Sequence, residues 1–372
     1  MTRTIVIGGG IVGASAAFRL ADSGNDIVLV DRQDPGHATA AGAGIIAPGT
    51  SQRPLPAFYP FAADAVRYYP ELVARLAELD AGDTRYEVVG KLLVATNEDE
   101  FERLPAIQQV MERRRQEGMP NLGTTSLVSA EEARSMFPAL GDVAGAIHVP
   151  EAARVDGASV RDAMVMGARK RGATILQGEA RLLQGTDDGA VVEVEGTTHA
   201  VDRVIVAAGC WTNRFLEPIG VSVPVAPQKG QIMHIGMGET TTSRWPIVGT
   251  FGDQYILTFG PNRVVCGATR ETGSGYDLRT TPGGLQSVTN EALRVAPGLA
   301  NGTVEEVRVG LRPLSDDGLP FIGEIDGHRS MIVATGHGPS GLQLGPWSGV
   351  IAADLALGMQ PSSAISAFAV GR

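Results

Sequence analysis

Three glycines near the start of the chain have the spacing of a phosphate-binding turn. Gly8, Gly10 and Gly13 form the pattern G-x-G-x-x-G between an apolar run and an alanine-rich segment. In such a turn the first glycine permits a tight bend, the second lets the backbone approach a pyrophosphate, and the third allows close packing of helix on strand. The start of the helix then offers free N–H groups and a positive dipole end, which favour phosphate.

An acidic residue follows where a ribose-binding carboxylate is expected. Asp31 stands at the end of a second apolar run, roughly 20 residues after the third glycine. A carboxylate there accepts hydrogen bonds from ribose hydroxyls and would repel a 2′-phosphate. The sequence therefore favours FAD or NAD over NADP.

Two other segments distinguish these cofactors. The stretch from His37 to Pro48 consists largely of small residues, which suits a backbone lying flat against a large planar ring. Near the other end, Gly336-His-Gly-Pro-Ser-Gly-Leu-Gln343 precedes a helix predicted over Trp347–Leu357. Such a turn can direct amides and a helix dipole at one point, and a reduced flavin carries negative charge near N1 and C2=O. Both segments favour a flavin.

The elements that would position these residues begin with a strand, a helix and a strand. Thr4–Ile7, Ile11–Leu20 and Ile27–Val30 form a βαβ unit, which implies a parallel sheet. Later helices are predicted over Ala57–Leu79, Glu98–Glu117, Ser129–Met136 and Ala158–Arg171. Further strands are predicted over Lys91–Ala95, Thr174–Leu176, Ala190–Val194, Val204–Ala208 and Met331–Ala334, and antiparallel ones over Gln231–Ile235, Gln254–Leu257 and Arg263–Cys266.

Nucleotide-binding signals occur at the start, middle and end of the chain, so two consecutive domains cannot bring them together. At ~150 residues per domain, 372 residues allow about two domains. We predict a discontinuous cofactor domain with a substrate domain inserted twice. The cofactor domain comprises residues 1–80, 145–220 and 308–372, and the substrate domain comprises 81–144 and 221–307.

Composition excludes several classes of protein. The net charge of −10 argues against nucleic acid as the main partner, and no apolar run reaches the ~18–20 residues of a membrane span. The first strand begins at Thr4, which leaves no room for a signal peptide. We therefore expect a cytoplasmic protein, with peripheral contact at the inner membrane face as an alternative. Cys210, Cys266 and the six histidines have no metal-ligand spacing, so we expect no metal.

The order of short motifs resembles that of a known family. The sequence is similar to the D-amino acid oxidase superfamily of FAD-dependent oxidoreductases, in particular its branch of bacterial glycine oxidases and D-amino acid dehydrogenases. The resemblance covers nearly the whole chain. The landmarks are Ile5–Gly13, Gly42–Pro48, Val89–Val94, Val206–Trp211, Pro227–Gln231, Val265–Glu271, Gly310–Pro313, Asp317–Gly323 and Gly336-His337.

This resemblance implies an α/β fold. A Rossmann-type FAD-binding domain would be joined to a discontinuous α+β substrate domain, whose mixed and largely antiparallel sheet covers the isoalloxazine. It implies positions along FAD as follows: Ile11, Val12, Asp31 and Arg32 at the ADP half; Thr39, Ala43, Gly44 and Ile45 along the ribityl and ring; Ala180 at the adenine; Gly209 and Trp211 near the pyrophosphate; and His337, Gly338, Pro339, Ser340, Gly341, Leu342 and Gln343 at the pyrimidine edge.

The resemblance also implies a substrate site. Gly310-Leu-Arg-Pro313 matches the segment that carries the carboxylate-binding arginine of the family, which assigns that role to Arg312. A planar guanidinium binds a carboxylate through two parallel hydrogen bonds. The alternative for Arg312 is an ion pair with Asp316 or Asp317. Tyr255 matches a tyrosine that bonds the same carboxylate in glycine oxidases, with core packing as its alternative.

One departure from the glycine oxidases concerns specificity. Those enzymes have a second arginine two positions after the histidine that matches His337, and here that position is Pro339. We therefore expect an amino acid with a side chain in preference to glycine.

Three other residues keep two interpretations each, and a fourth has one. His234 is a structural or an active-site histidine, and Lys229 is a solvated lysine or one that assists the flavin or oxygen. Cys210 is a bystander or a flavin attachment point, and Cys266 is expected in the core.

The function expected from the resemblance is FAD-dependent oxidative deamination of a D-amino acid. Hydride transfer from Cα to flavin N5 would give an imino acid, which hydrolyses to a keto acid and ammonia. The electron acceptor, oxygen or a quinone, stays open. One alternative is oxidation of a secondary amine such as sarcosine, of glycine, or of a cyclic imino acid of the proline type. Another is a flavin-binding subunit without turnover of its own.

Overall fold

The computed structural model describes residues 2–372. In this part of the chain the helices are α1 Ile11–Asp22, α2 Phe58–Glu78, α3 Glu98–Gln116, α4 Ala130–Met136, α5 Gly157–Lys170, α6 Thr212–Leu216, α7 Pro282–Val295 and α8 Gly341–Ala356. The strands are β1 Arg3–Ile7, β2 Asp26–Asp31, β3 Ile45–Ile46, β4 Glu87–Val88, β5 Lys91–Ala95, β6 Ser126–Ser129, β7 Gly145–Val149, β8 Ala153–Arg154, β9 Thr174–Gln177, β10 Ala180–Gly185, β11 Ala190–Val194, β12 Thr197–Val201, β13 Arg203–Val206, β14 Val225–Gly236, β15 Ile247–Gly249, β16 Tyr255–Phe259, β17 Arg263–Gly267, β18 Glu271–Thr272, β19 Thr303–Ser315, β20 Phe321–Ile325 and β21 His328–Thr335.

A six-stranded sheet contains the predicted βαβ unit. Its order is β20-β21-β13-β1-β2-β9, and all neighbours are parallel except β20 and β21. Helix α1 packs between α5 and α8 beside this sheet. Close approach of α1 and α8 depends on Gly349, where an added Cβ would lie 2.4 Å from the carbonyl oxygen of Val12. Because β21, β13, β1, β2 and β9 are parallel, their carboxyl ends lie on one edge of the sheet. Ligands bind at this edge in sheets of this kind.

A second, nine-stranded sheet has two chemically different faces. Its order is β18-β14-β17-β16-β15-β5-β7-β6, with β19 paired to β14, and only β15 and β5 are parallel. Because side chains alternate along a strand, Val94, Ile256 and Cys266 lie on one face and pack against α4 and α7. The opposite face carries Leu93 and Tyr255 and turns toward the loop that contains Ala43. The prediction that Cys266 is a core residue is confirmed.

Two smaller sheets, β10-β11-β12 and β3-β8-β4, complete the structure. The mixed α/β architecture agrees with the predicted fold class. The division into two discontinuous domains stays a prediction; β7 and most of the long strand β19 lie in the nine-stranded sheet. Among residues 2–372, no helix combines the length and the apolar character that crossing a membrane requires.

Three long elements differ from the sequence prediction, and several short strands were not predicted either. Helix α8 begins at Gly341, not at Trp347, because Pro346 lies inside the helix and does not end it. A proline usually predicts a helix end because it lacks an N–H, but here α8 continues past Pro346 and packs closely along α1. Strand β19 and helix α7 were not predicted, since the exposed, charged start of β19 gives no strand-like alternation.

Candidate active site

One large cavity, of about 1050 Å³, lies between the carboxyl edge of the six-stranded sheet and a face of the nine-stranded sheet. Its volume is at the upper end of the range for ligand sites. Every residue predicted to contact the cofactor or substrate lines it, except Gly13. These lining residues are Gly8, Gly10, Ile11, Val12, Asp31, Arg32, Thr39, Ala43, Gly44, Ile45, Ala180, Gly209, Trp211, Tyr255, Arg312, His337, Gly338, Pro339, Ser340, Gly341, Leu342 and Gln343.

Gly13 acts behind the cavity wall. A Cβ at this position would lie 1.8 Å from the carbonyl oxygen of Gly8, so only glycine lets α1 start this close to the turn. Gly8 itself has a φ of +99°, a conformation that favours glycine. The first and third glycines of the motif thus have the two structural roles that their spacing predicts.

The start of α1 presents a surface suited to an anion. Its first turn contains no acidic residue, and Gly10 supplies no side-chain cap. The N–H of Ile11 donates to Thr39 Oγ1 at 3.0 Å, which ties the helix to the small-residue loop. A helix N-terminus of this kind carries partial positive charge and unfilled N–H donors. It can therefore hold a pyrophosphate.

Asp31 ends β2 beside the glycine turn. Its Oδ1 accepts from the N–H of Gln33 at 3.0 Å, and its Oδ2 lies 2.5 Å from the place that a Cβ on Gly9 would occupy. The carboxylate is thus held against the turn and lines the cavity. This is the geometry that a ribose-binding acid needs.

On the nine-stranded sheet, glycines make room for long polar side chains. A Cβ on Gly230 would lie 2.5 Å from the guanidinium of Arg312, and one on Gly267 would lie 2.7 Å from the hydroxyl of Tyr255. The strand pairings place Gly230, Gly267 and Tyr255 on the same face as Arg312. The guanidinium and the phenol are therefore laid along the sheet and point into one end of the cavity.

Arg312 is a cation without a protein counter-ion. Its Nη1 donates to the carbonyl oxygen of Thr269 at 3.1 Å, and burial lowers the pKa of the guanidinium. Within residues 2–372 no carboxylate forms an ion pair with it, and Asp317 pairs with Arg372 instead. The alternative of an ion pair with Asp316 or Asp317 is thus wrong. A half-buried charge without a partner is costly, so this site favours an anionic ligand.

Tyr255 lies next to Arg312 in a position to share that ligand. Burial raises the pKa of its phenol to about 12, although the Arg312 charge works in the opposite direction. The hydroxyl therefore keeps its proton at any ordinary pH and can donate a hydrogen bond to an anion bound by Arg312.

Comparison with known proteins agrees with this geometry. The model of the family "FAD dependent oxidoreductase" (DAO) matches residues 3–355. The chain belongs to this family. It is 39% identical to an uncharacterized oxidoreductase, YurR, of Bacillus subtilis over 371 residues, covering 99% of this chain and 98% of that protein. It is 30% identical to the glycine oxidase of Bacillus subtilis over 359 residues, covering 94% and 92%.

A solved structure is also very similar. The crystal structure of iminodiacetate oxidase from Chelativorans sp. BNC1 superposes with a TM-score of 0.94, at 36% identity and with 99% of each chain covered. The protein is therefore an FAD-dependent oxidoreductase of the DAO family that acts on the CH–NH bonds of amino acids or amines.

Arg32, which the family resemblance places at the ADP half of FAD, already has carboxylate partners. Arg32 forms ion pairs with Asp34 at 2.6 Å and Glu179 at 3.1 Å. Glu179 also pairs with Arg181 and Arg214, so this end of the cavity carries a closed network of charges. Arg32 can pack its guanidinium beside the nucleotide without adding net charge.

The turn before α8 supplies a second neutral polar surface. His337 is fully buried, and burial lowers its pKa to about 4. Its Nε2 lies 2.8 Å from Ser348 Oγ, and Ser348 donates to the carbonyl of Leu344 at 3.1 Å. The hydrogen bond between Nε2 and Ser348 ties the ring to α8. The imidazole stays neutral and fixes the turn at the start of α8, whose dipole favours the negative charge of a reduced flavin.

The surroundings of the three residues with two interpretations bear on their roles. Lys229 is neither solvated nor part of the cavity wall, because it is 1% exposed and pairs with Asp277 and Glu271. His234 does not line the cavity either; it is buried in β14 and neither of its nitrogens has a partner among the described residues. Cys210 lines the cavity, but burial raises the pKa of its thiol to about 12.

Sequence reasoning did not assign a role to three cations of the cavity. Lys91, Arg53 and Arg270 all line it. Lys91 and Arg270 lie in motifs that carry the family resemblance, and Lys91 opens an otherwise apolar strand, which is the one signal that could have singled it out. Arg53 donates to Ser340 Oγ at 2.7 Å, so its guanidinium reaches the turn that contains Pro339.

Replacing Asp31 tests the ribose-binding role. We expect Asp31→Ala to weaken FAD binding by about 10- to 100-fold, because it removes a hydrogen bond to a charged group worth about 1.5–3 kcal/mol. The measurement is the flavin content of purified protein and the Kd for added FAD. Asp26→Ala, at the exposed start of the same strand, is the control. Equal flavin content in both variants would remove Asp31 from the ribose site.

Proposed function

We propose that the protein dehydrogenates the carbon–nitrogen bond of an α-amino acid whose carboxylate is bound by Arg312 and Tyr255. The observation that carries this proposal is the Arg312 guanidinium, which has no counter-ion and lies beside a protonated phenol on the sheet face that lines the cavity. Two-point binding of a carboxylate fixes the orientation of the carbon attached to it, which is a large part of catalysis by positioning. When bound, FAD accepts the hydride that leaves this carbon.

The chain's own residues have three tasks in this reaction. Arg312 and Tyr255 hold the carboxylate, and the glycines beneath them keep both side chains in place. The start of α1 and Asp31 hold the nucleotide half of the cofactor. The turn at Ser340 directs the start of α8 into the cavity. In this proposal no side chain removes the proton from Cα, so the amine has to be neutral when the hydride leaves.

A D-amino acid is the first candidate substrate. The replacement of the second glycine-oxidase arginine by Pro339 supports a substrate larger than glycine. A secondary amine is the second candidate, and the similarity to iminodiacetate oxidase supports it. Oxygen or a quinone as electron acceptor and a cytoplasmic location, with contact at the inner membrane face as the alternative, remain predictions from the sequence.

An anaerobic screen tests the proposal. Protein loaded with FAD is mixed with D-amino acids, L-amino acids, glycine, sarcosine and proline, and the loss of yellow absorbance is followed. We expect at least one α-amino acid to bleach the flavin, and simple amines that lack a carboxylate not to do so. Bleaching by D-alanine over sarcosine would select the first candidate, and the reverse the second. If no amine bleached the bound flavin, the protein would be a flavin-binding subunit without turnover of its own.

A further inference from the structure

The part of the cavity outside its nucleotide end holds more positive charge than one carboxylate can balance. Its charged lining residues are Arg53, Lys91, Arg270, Arg312 and Asp253. Asp253 pairs with Arg270 at 2.8 Å, and among the described residues no carboxylate pairs with the other three cations. By contrast, the nucleotide end contains acidic and basic residues in near balance. A substrate with a single carboxylate would neutralise Arg312 and leave two cations unpaired.

Lys91 is one of these spare cations, and its side chain is partly buried. Its Nζ donates to Thr50 Oγ1 at 2.8 Å. This hydrogen bond uses one of the three N–H donors of the ammonium. Gly249 makes room for it, because an added Cβ there would lie 2.9 Å from Lys91 Cε. Burial lowers its pKa to about 8. A partly buried ammonium without a carboxylate partner favours an anionic ligand.

Lys91 lies on the same sheet face as the residues that bind the first carboxylate. Gly249 is opposite Tyr255 in the β15–β16 pair, and Leu93, two residues after Lys91, is opposite Gly249. The hydroxyl of Tyr255 lies over β17 and the head of Lys91 lies over β15. These strands are two spacings apart, so the two polar groups are separated by about 10 Å.

We propose that Lys91 binds a second carboxylate of the substrate, so that the preferred substrate is an amino acid with two acidic groups. An extended chain advances about 1.25 Å per bond, so four bonds separate two carboxylate carbons by about 5 Å. Hydrogen bonds of about 2.8 Å at each end bring the span to about 10 Å. N-carboxymethyl amino acids such as iminodiacetate, and acidic D-amino acids such as D-glutamate, have this length.

Arg53 has a different role in this arrangement. Its guanidinium is held by Ser340 at the turn before α8 and lies over the ring of Phe58 at 5.6 Å. It therefore belongs to the end of the cavity that the family resemblance assigns to the pyrimidine edge of the flavin. This leaves Lys91 as the cation that faces the substrate. The role of Lys91 rests on the proposed function, because the first carboxylate has to be bound by Arg312 and Tyr255.

Substrate pairs that differ by one charge provide the test. Iminodiacetate is compared with sarcosine, and D-glutamate with D-glutamine, by the rate and apparent Kd of anaerobic flavin bleaching. We expect the diacid of at least one pair to have a lower Kd by about 30-fold or more. Lys91→Met should abolish this preference and leave the neutral partner unchanged, Lys91→Arg should restore part of it, and Lys170→Met, on an exposed helix end, should change nothing.

A second measurement is independent of turnover. Diglycolate and methoxyacetate have the shapes of iminodiacetate and sarcosine but contain an ether oxygen in place of the amine, so neither can be oxidised in this way. Their Kd values come from changes in the flavin spectrum. Diglycolate should bind more tightly to the wild type and lose that advantage in Lys91→Met.

The outcomes separate this inference from the proposed function. If monoacids bleach the flavin and diacids have no advantage, or if Lys91→Met weakens both members of a pair equally, Lys91 binds no second carboxylate and the proposed function stands. The same holds if the variant slows only reoxidation by oxygen, which would make Lys91 a group that acts on the acceptor. If no amino acid bleaches the flavin but diglycolate still prefers the wild type, the proposed function fails and the anion site remains.

Discussion

Arg312→Ala should raise the KM for the amino acid substrate by about 100-fold or more while FAD stays bound. The guanidinium is the one described cation that lies beside Tyr255 on the sheet face and has no carboxylate partner. Removing it deletes a charge-assisted pair of hydrogen bonds to the substrate, an interaction worth about 2–5 kcal/mol. The same loss is expected in kcat/KM, measured by steady-state kinetics or by the rate of anaerobic flavin bleaching.

Arg312→Lys is the matched variant for this experiment. It keeps the charge but lacks the planar fork, so we expect activity between those of the wild type and the alanine variant. Flavin content and thermal unfolding serve as controls, because Arg312 also donates to the Thr269 carbonyl and its loss disturbs that turn. Wild-type kinetics in a folded, flavin-loaded Arg312→Ala protein would show that the substrate carboxylate is bound elsewhere.

The nucleotide half of the site could be predicted from sequence because its determinants are local. Gly8, Gly13 and Asp31 are all near one another in the chain, and each has a steric or electrostatic role that its spacing alone defines. The structure places all three as that spacing requires, with Gly13 against the Gly8 carbonyl and Asp31 against the turn. A tight strand–turn–helix unit has few other ways to pack.

The substrate half could be predicted only in part, because its determinants come from strands that are far apart in sequence. Arg312 and Tyr255 were assigned through the family resemblance, and no local pattern joins them. The cavity brings Lys91 to the same face through the parallel pairing of β15 with β5, a contact between residues more than 150 positions apart that no spacing rule encodes. The position of Lys91 at the start of an apolar strand sets it apart in the sequence, but its place at the cavity follows only from the sheet order.

The charge balance of the cavity is likewise a property of the folded chain alone. In the sequence, Arg53, Lys91 and Arg270 are three of 31 basic residues in an acidic protein. In the structure all three line one cavity, and outside its nucleotide end Asp253 is the single carboxylate among its lining residues. The net charge of −10 therefore gives no indication of the local field that a substrate meets.

Gly13→Ala is the substitution with the largest expected effect on the cofactor. A Cβ at residue 13 would lie 1.8 Å from the carbonyl oxygen of Gly8 and 3.3 Å from the Cβ of Ala207, so α1 would have to move away from β1 and the turn. The first contact is with backbone, which cannot rotate out of the way. Overpacking of this severity costs about 3 kcal/mol or more, equivalent to about a 100-fold loss of FAD affinity if the turn deforms.

Gly283→Ala is the control, because the added Cβ meets no heavy atom within 4 Å. It lies in the first turn of α7, where alanine is accepted at least as well as glycine. We expect Gly13→Ala to be purified without flavin and to unfold at a lower temperature, and Gly283→Ala to match the wild type in both. Measuring flavin absorbance per polypeptide before and after incubation with FAD decides between them. Full flavin content in Gly13→Ala would mean that α1 can shift without opening the pyrophosphate site, which contradicts the role assigned to the third glycine.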